Sequence, residues 1–292
     1  MGTLLDVAVT AAEQPTALSA SEAAVQAVDA VEARLSTWRD DSELAQLNAA
    51  AVGRPFVLSH ALLEDLRAAR SWWLQTDGTF DPAIGALVAA YDLRGSGRWP
   101  TADALAAARQ ASGLDGLSLP PQASSTTPPP VPGATRRREG LRIDAGGFGK
   151  GIALAAAGRA ALEAGATTAR FDFGGQRFEV GPTGPNTITI ADPRDRRRPA
   201  VSLVAHGRSV ATSANSERRR VVAGRALGHL LDPRSGLPAT DFGAVTVVTD
   251  DPVAADCLST ALFVMGPERA LTWAAGPPDI EVLVLEVHGD GL

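Results

Sequence analysis

The sequence predicts an α+β fold. Three observations carry this: helical periodicity in several separated segments, a cluster of short strand-like segments between 168 and 204, and no regular strand–helix alternation of the kind that marks a parallel sheet. Taken in order, residues 3–10 alternate weakly and suit a strand. Residues 21–36 place Val25, Val28 and Leu35 near one helical face, with Ser19 or Ser21 as a cap. A second helix follows Ser59, carries Leu62, Leu63, Leu66 and Trp73, and stops at the Asp77-Gly78 turn. Residues 102–112 form a short Ala-rich helix. Residues 120–135 (PPQASSTTPPPVPGAT) are too rich in Pro, Ser and Thr to bury a core, and predict an exposed, mobile insertion within a single domain spanning 1–292. Beyond it, 141–144 is extended, GGFGKG turns, and 151–164 is a helix that ends at Gly165. Strands are expected at 168–173, 177–180, 186–190 and 201–204, then around 218–222 and 244–248. A helix at 254–265 and a strand at 281–287 complete the chain.

Composition narrows the function. With 292 residues and 45% apolar side chains, the chain can bury a core. Its net charge of -6 argues against nucleic acid or an anionic membrane as the main partner, since both need a basic face. A local basic pocket for a phosphate stays open. Cys257 is the sole cysteine, so no intrachain disulfide forms. His60, His206, His229 and His288 share no metal-ligand spacing. No run approaches the roughly 20 apolar residues of a membrane helix. The start, MGTLLDVAVTAAEQ, has neither a basic region nor a continuous apolar stretch, so it does not read as a signal peptide. The expectation is a cytoplasmic protein, or an exported one whose leader has been removed.

Four segments carry candidate chemistry, and each also has a purely structural reading. In RIDAGGFGKG (142–151), closely spaced glycines let backbone approach a ligand, the following helix offers free N–H groups to a phosphate, and Lys150 adds a charge. The same segment serves as a tight strand-to-helix turn. It is not a Walker loop, because Gly151 stands where Ser or Thr is required. In AADCLSTALFVMG, Asp256 and Thr260 lie four apart on one helix face, and a carboxylate with a hydroxyl suits a hard cation such as magnesium. On helix geometry alone, a first-turn Asp and a Thr bonded to its own helix is the favoured account of the pair. His229 precedes the DPRSG turn, where it is either a general base or a structural histidine. Trp38, in LSTWRDDSELAQLN, can stack on a flat ring or fill a core, with a further helix cap at Asp41 or Ser42. DGTFDP (77–82) is a turn with an Asx cap.

Together and in this order, the blocks MGT, LSTWRDDSELAQLN, DGTFDPAIGALV, IDAGGFGKG, FDFGGQ, SVATSANSER, HLLDPRSGLPA and ADCLSTALFVMG resemble the ApbE family of FAD:protein FMN transferases. Any one block is weak, but eight in order, reaching from Met1 to about Ala270, are specific. The resemblance implies one domain of two intimate lobes, with mixed or antiparallel sheets and flanking helices, holding FAD with Mg²⁺ (Mn²⁺ as the alternative) on its pyrophosphate. It implies metal ligation by the Gly147 carbonyl and by the side chains of Asp256 and Thr260. FAD contacts would fall at Met1, Trp38, Thr79, Phe80, Asp81, Asp144, Lys150 and Leu231, with His229 near the reacting phosphate. Trp38 stands where the family often has Tyr. One departure concerns Ala214-Asn215-Ser216, where the family usually has Gly-Asp-Tyr or Gly-Asn-Tyr.

The implied reaction attaches FMN through a phosphoester to a Thr or Ser hydroxyl of a partner protein and releases AMP. Two rivals remain at this point: an FAD pyrophosphatase that uses water as acceptor, and a flavin carrier without catalysis. A carrier would leave Asp256, Thr260 and His229 idle.

Overall fold

The computed structural model describes residues 3–121, 133–217 and 220–288. The chain opens with β1 (Leu5–Thr10) and α1 (Gln14–Leu35), followed by α2 (Glu43–Ala49), β2 (Pro55–Val57), α3 (His60–Gln75), α4 (Gly85–Ala90), α5 (Ala102–Ala111), β3 (Leu117–Ser118) and β4 (Gly133–Arg136). It continues through α6 (Gly149–Glu163), β5 (Thr168–Phe173), β6 (Gln176–Val180), β7 (Asn186–Asp192), β8 (Asp195–Ala205), β9 (Ser209–Ala214), β10 (Arg220–Val222) and β11 (Arg225–Leu227). The last elements are β12 (Gly243–Thr249), α7 (Pro252–Met265), α8 (Pro267–Ala274) and β13 (Glu281–Glu286). The architecture is α+β.

A six-stranded sheet of order β1-β5-β6-β9-β12-β13 is its frame, and every neighbouring pair runs antiparallel. β12 explains the layering. All seven of its residues are buried, so both faces must be covered. Val245 and Val247 pack under α7 and α8, with Leu258, Leu262 and Phe263. Ala244 and Val248 pack on the other face against Ile188 and Ile190 of the β7–β8 ribbon. At the far side of the sheet, Phe171, Phe173 and Phe178 pack with α1 and α6. Gly158 on α6 permits that approach, since a Cβ there would lie 2.7 Å from the Phe178 ring. Among the described residues no helix is long and apolar enough to cross a membrane.

Several sequence expectations shift. Helix α1 starts at Gln14, a full turn and more before the expected 21, because Pro15 fits a first helical turn. Ser21 is inside the helix, its hydroxyl donating to Ala17 O at 2.9 Å. The buried face of α1 is Ala20, Ala24, Val28, Val31 and Leu35, while Val25 is 42% exposed. The end of the Pro/Ser/Thr-rich segment is not an exposed loop. Gly133–Arg136 is the central strand of the three-stranded sheet β2-β4-β3, with Ala134 fully buried. Residues 122–132 of that segment lie outside the described residues. Residues 141–144 belong to no ladder; instead Ile143 exchanges two hydrogen bonds with the Asn48 side chain, at 2.7 and 2.9 Å.

Candidate active site where two helices begin

The starts of α6 and α7 meet. Asp144 Oδ1 accepts from Gly146 N at 2.8 Å, turning the chain, and α6 begins at Gly149. Asp251 caps α7, its Oδ1 accepting from Val253 N at 2.8 Å. A Cβ on Gly151 would lie 2.4 Å from Pro252 O and 2.7 Å from Val253 Cα, so only glycine allows this contact. The Gln176 side chain holds the same carbonyl, donating to Pro252 O at 2.8 Å. The Asp256 carboxylate therefore faces the first turn of α6. It is 3% exposed and accepts from Lys150 Nζ at 2.7 Å and from Gly151 N at 3.0 Å. Thr260, one turn further on, lies against Gly147: a Cβ there would be 3.4 Å from Thr260 Oγ1 and 3.3 Å from the Phe80 ring.

Gly147, Lys150, Asp256, Thr260 and Phe80 thus come from three distant segments into one contact. Among the described residues no three His, Cys, Asp or Glu side chains gather, which excludes a histidine- or thiolate-rich centre there. The donors at this junction are a carboxylate, a hydroxyl and a glycine backbone close enough to share them. That set fits a hard cation that takes oxygen ligands.

A second group borders this junction through Asp144. Arg94 donates to the Asp144 carboxylate and to Thr37 O (2.9 Å), and its guanidinium lies 5.3 Å from the Trp38 ring centroid. Trp38 is 66% exposed, so it is a surface plate and not a core residue. Asp144 N donates to Pro82 O at 2.7 Å, joining the DGTFDP turn to the glycine-rich segment. In that turn Asp77 and Gly78 both have positive φ, 50° and 71°. Thr79 Oγ1 donates to Thr76 O at 2.8 Å, and Phe80 N donates to Thr76 Oγ1 at 3.2 Å. Asp81 accepts from Ala83 N (2.7 Å) and Leu114 N (3.1 Å). Burial raises its pKa from 3.8 to about 6, against the lowering effect of those bonds. Thr79 and Asp81 are both buried, and their side chains are engaged in holding the turn. Met1 lies outside the described residues.

His229 sits in a bend just beyond β11, half-buried, and Leu231 is buried and bridged to Pro238. Asn215, at the family departure, is 2% exposed; it accepts from Leu230 N at 3.4 Å and donates to Ala239 O at 3.5 Å. Two residues earlier, Ser213 Oγ donates to Ser259 Oγ at 3.0 Å. Strand β9 therefore connects the His229 loop to α7 beside Thr260. Arg94 escaped the sequence reading, and Ser213 and Asn215 entered it only as members of the SVATSANSER block, with no contact assigned to either. An Arg three residues after the α4 C-cap carries no local signal, and SVATSAN was read as a motif without its strand.

Comparison with known proteins gives this arrangement a context. The sequence model of the ApbE family matches residues 1–284. The chain belongs to the ApbE family. It is 30% identical over 282 residues to an FAD:protein FMN transferase of Klebsiella pneumoniae (strain 342), covering 92% of this chain and 78% of that one. It is 30% identical over 266 residues to an FAD:protein FMN transferase of Treponema pallidum (strain Nichols), covering 86% and 72%. The crystal structure of an ApbE protein from Thermotoga maritima superposes with a TM-score of 0.83 at 26% identity, covering 96% of this chain and 92% of that one. The apo form of the Pseudomonas stutzeri flavinyl transferase ApbE shares the fold, with a TM-score of 0.77 at 24% identity over 93% and 87% of the two chains. The ApbE fold thus spans the elements that build the α6–α7 junction.

Proposed function

We propose that the protein is an FAD:protein FMN transferase that joins the FMN phosphate to a Ser or Thr hydroxyl of another protein and releases AMP. The observation that carries this reading is the junction at which Asp256, Thr260 and the Gly147 backbone converge on the start of α6. That arrangement is suited to a divalent cation and a diphosphate together. The names of the relatives support the same chemistry.

In this reading the acceptor hydroxyl oxygen attacks the FMN-side phosphorus, the bond from that phosphorus to the bridging oxygen breaks, and AMP leaves with the electron pair. Mg²⁺ or Mn²⁺, held by Asp256, Thr260 and the Gly147 carbonyl, would neutralise charge on the two phosphates. Lys150 adds a positive charge at the same place, and the α6 dipole presents its positive end there. His229 takes the acceptor proton as general base. Trp38 offers its exposed face to the flavin ring, and Arg94 holds Trp38 and Asp144 in register. Incubation with FAD and Mg²⁺, with and without Thr-bearing peptides, tests the proposal by mass spectrometry. AMP release with FMN on the peptide is expected. Tight FAD binding without AMP release would make the protein a carrier and overturn the reading.

A further inference from the structure

We infer that Arg94 prepares the flavin site for an anionic dinucleotide, by cancelling the charge of Asp144 while it holds the Trp38 plate. This rests on the transferase reading above and adds a positioning residue to it. The glycine-rich segment and the helices it meets bring two carboxylates, Asp144 and Asp256, to a place where the diphosphate of FAD, itself anionic, would lie. Asp256 is paired with Lys150. Asp144 is paired with Arg94, the two side chains being 14% and 33% exposed. The other charges of these segments are engaged or turned elsewhere. Arg142, two residues before Asp144, has its Cβ against Gly85 at the start of α4. Beside Trp38, Arg39 pairs with Asp41 at 2.8 Å, and Asp40 is exposed to solvent. Near Arg94, the Asp92 carboxylate accepts from Ser96 N at 3.1 Å.

The loop that presents Arg94 is built to hold it. Asp92 has a positive φ of 50°, and its carbonyl accepts from Gly95 N and Gly97 N, both at 3.1 Å. From outside the loop, Arg220 of β10 donates to Leu93 O at 3.3 Å. A side chain carried on a loop fixed in this way loses little freedom when a ligand arrives. The Arg94 fork then reaches three groups: the Asp144 carboxylate, Thr37 O at 2.9 Å and the Trp38 ring, whose centroid is 5.3 Å away. One cation thus ties the plate assigned to the flavin ring to the carboxylate that borders the phosphate turn. Asp144 also has a structural task, since its Oδ1 accepts from Gly146 N at 2.8 Å and turns the chain toward α6. An asparagine would make the same turn without a charge. Arg94 lets the turn keep its carboxylate without repelling a diphosphate.

Two ligands separate charge from stacking, because riboflavin offers the same ring as FAD and carries no phosphate. Flavin fluorescence gives the dissociation constants of the whole protein for both. The proteins compared are wild type, Arg94→Met and Arg94→Lys, each with and without Asp144→Asn. Arg94→Met should weaken FAD by about tenfold, the effect of one uncompensated charge, and riboflavin by about twofold at most. Arg94→Lys, which keeps the charge, should retain most of the FAD affinity. In the Asp144→Asn background Arg94→Met should cost FAD little, since the charge it cancels is gone. Added salt should narrow the FAD difference. In Mg²⁺-dependent hydrolysis Arg94→Met should raise the KM for FAD more than it lowers kcat. An equal loss of FAD and riboflavin overturns the inference, as does the same FAD loss in both Asp144 backgrounds. Unchanged FAD affinity in Arg94→Met overturns it too. If wild type binds no FAD at all, the transferase reading falls and this inference with it.

Discussion

Lys150 and Asp256, 106 residues apart in sequence, form an ion pair of 2.7 Å at the point where α6 and α7 begin. The carboxylate is almost fully buried and the ammonium half-exposed, so Lys150 is the partner able to move away when another cation enters. Asp256 keeps a second anchor in Gly151 N.

That arrangement separates two substitutions. Asp256→Ala leaves the buried Gly151 N–H without its acceptor, at a cost of about 1–3 kcal/mol, whereas Asp256→Asn can keep that bond. Both should lose metal-dependent FAD cleavage, and only Asp256→Ala should lower the melting temperature clearly. Calorimetric titration with Mn²⁺ checks the assignment. Wild-type affinity in Asp256→Asn would remove Asp256 from the ligand set.

Gly151→Ala should damage fold and activity together. Its Cβ would meet Pro252 O at 2.4 Å and Val253 Cα at 2.7 Å, both backbone, so the two helices must separate. Overpacking of this kind costs about 3 kcal/mol. Urea denaturation measures it, and a midpoint equal to wild type would contradict the contact.

His229→Ala should lower FMN transfer by about 10²–10⁴-fold while FAD affinity changes little, because a base acts in the transition state. Equilibrium FAD binding and single-turnover transfer, measured side by side, decide this. Parallel loss of both would make His229 a binding or structural residue.

Asp81 should give stability an unusual pH dependence. Its folded pKa, about 6, lies above its ordinary 3.8, so the folded state holds the proton more tightly. Its contribution is fully present below about pH 4, is lost as pH rises to about 6, and is flat beyond, a change of about 3 kcal/mol. The stability of wild type relative to Asp81→Asn should therefore fall between pH 4 and 6.5 in urea titrations. A difference that does not vary with pH would refute it.

Much of this was legible locally. α3 starts after Ser59 as expected, with Ser59 Oγ accepting from Leu62 N at 3.1 Å, and Ser42, one of the two expected caps, caps α2. β5 has the expected limits because alternation and a Gly-Gly turn mark it from within. Asp256 and Thr260 were visible as a helical pair, but what lies opposite them was not, since helix periodicity says nothing about a partner helix. β9 and β4 were missed for a related reason. Their apolar positions make sense only against strands and helices far away in sequence, and β4 follows a segment whose composition reads as loop. Arg94 illustrates the limit for sites: its role comes from Trp38 and Asp144, which local sequence does not bring near it.

The contact of α6 with α7 also fixes an order of events. Gly147 and Lys150 emerge early in the chain and Asp256 and Thr260 late, and β12 must slot between β9 and β13 before α7 has a surface to lie on. Pairings of such sequence separation close slowly. A nascent chain that has reached only β11 has the glycine-rich turn, the lysine and the tryptophan plate, yet lacks the carboxylate and hydroxyl that complete the junction. If the junction holds a metal as proposed, metal affinity should thus appear last during folding, once α7 has docked on α6.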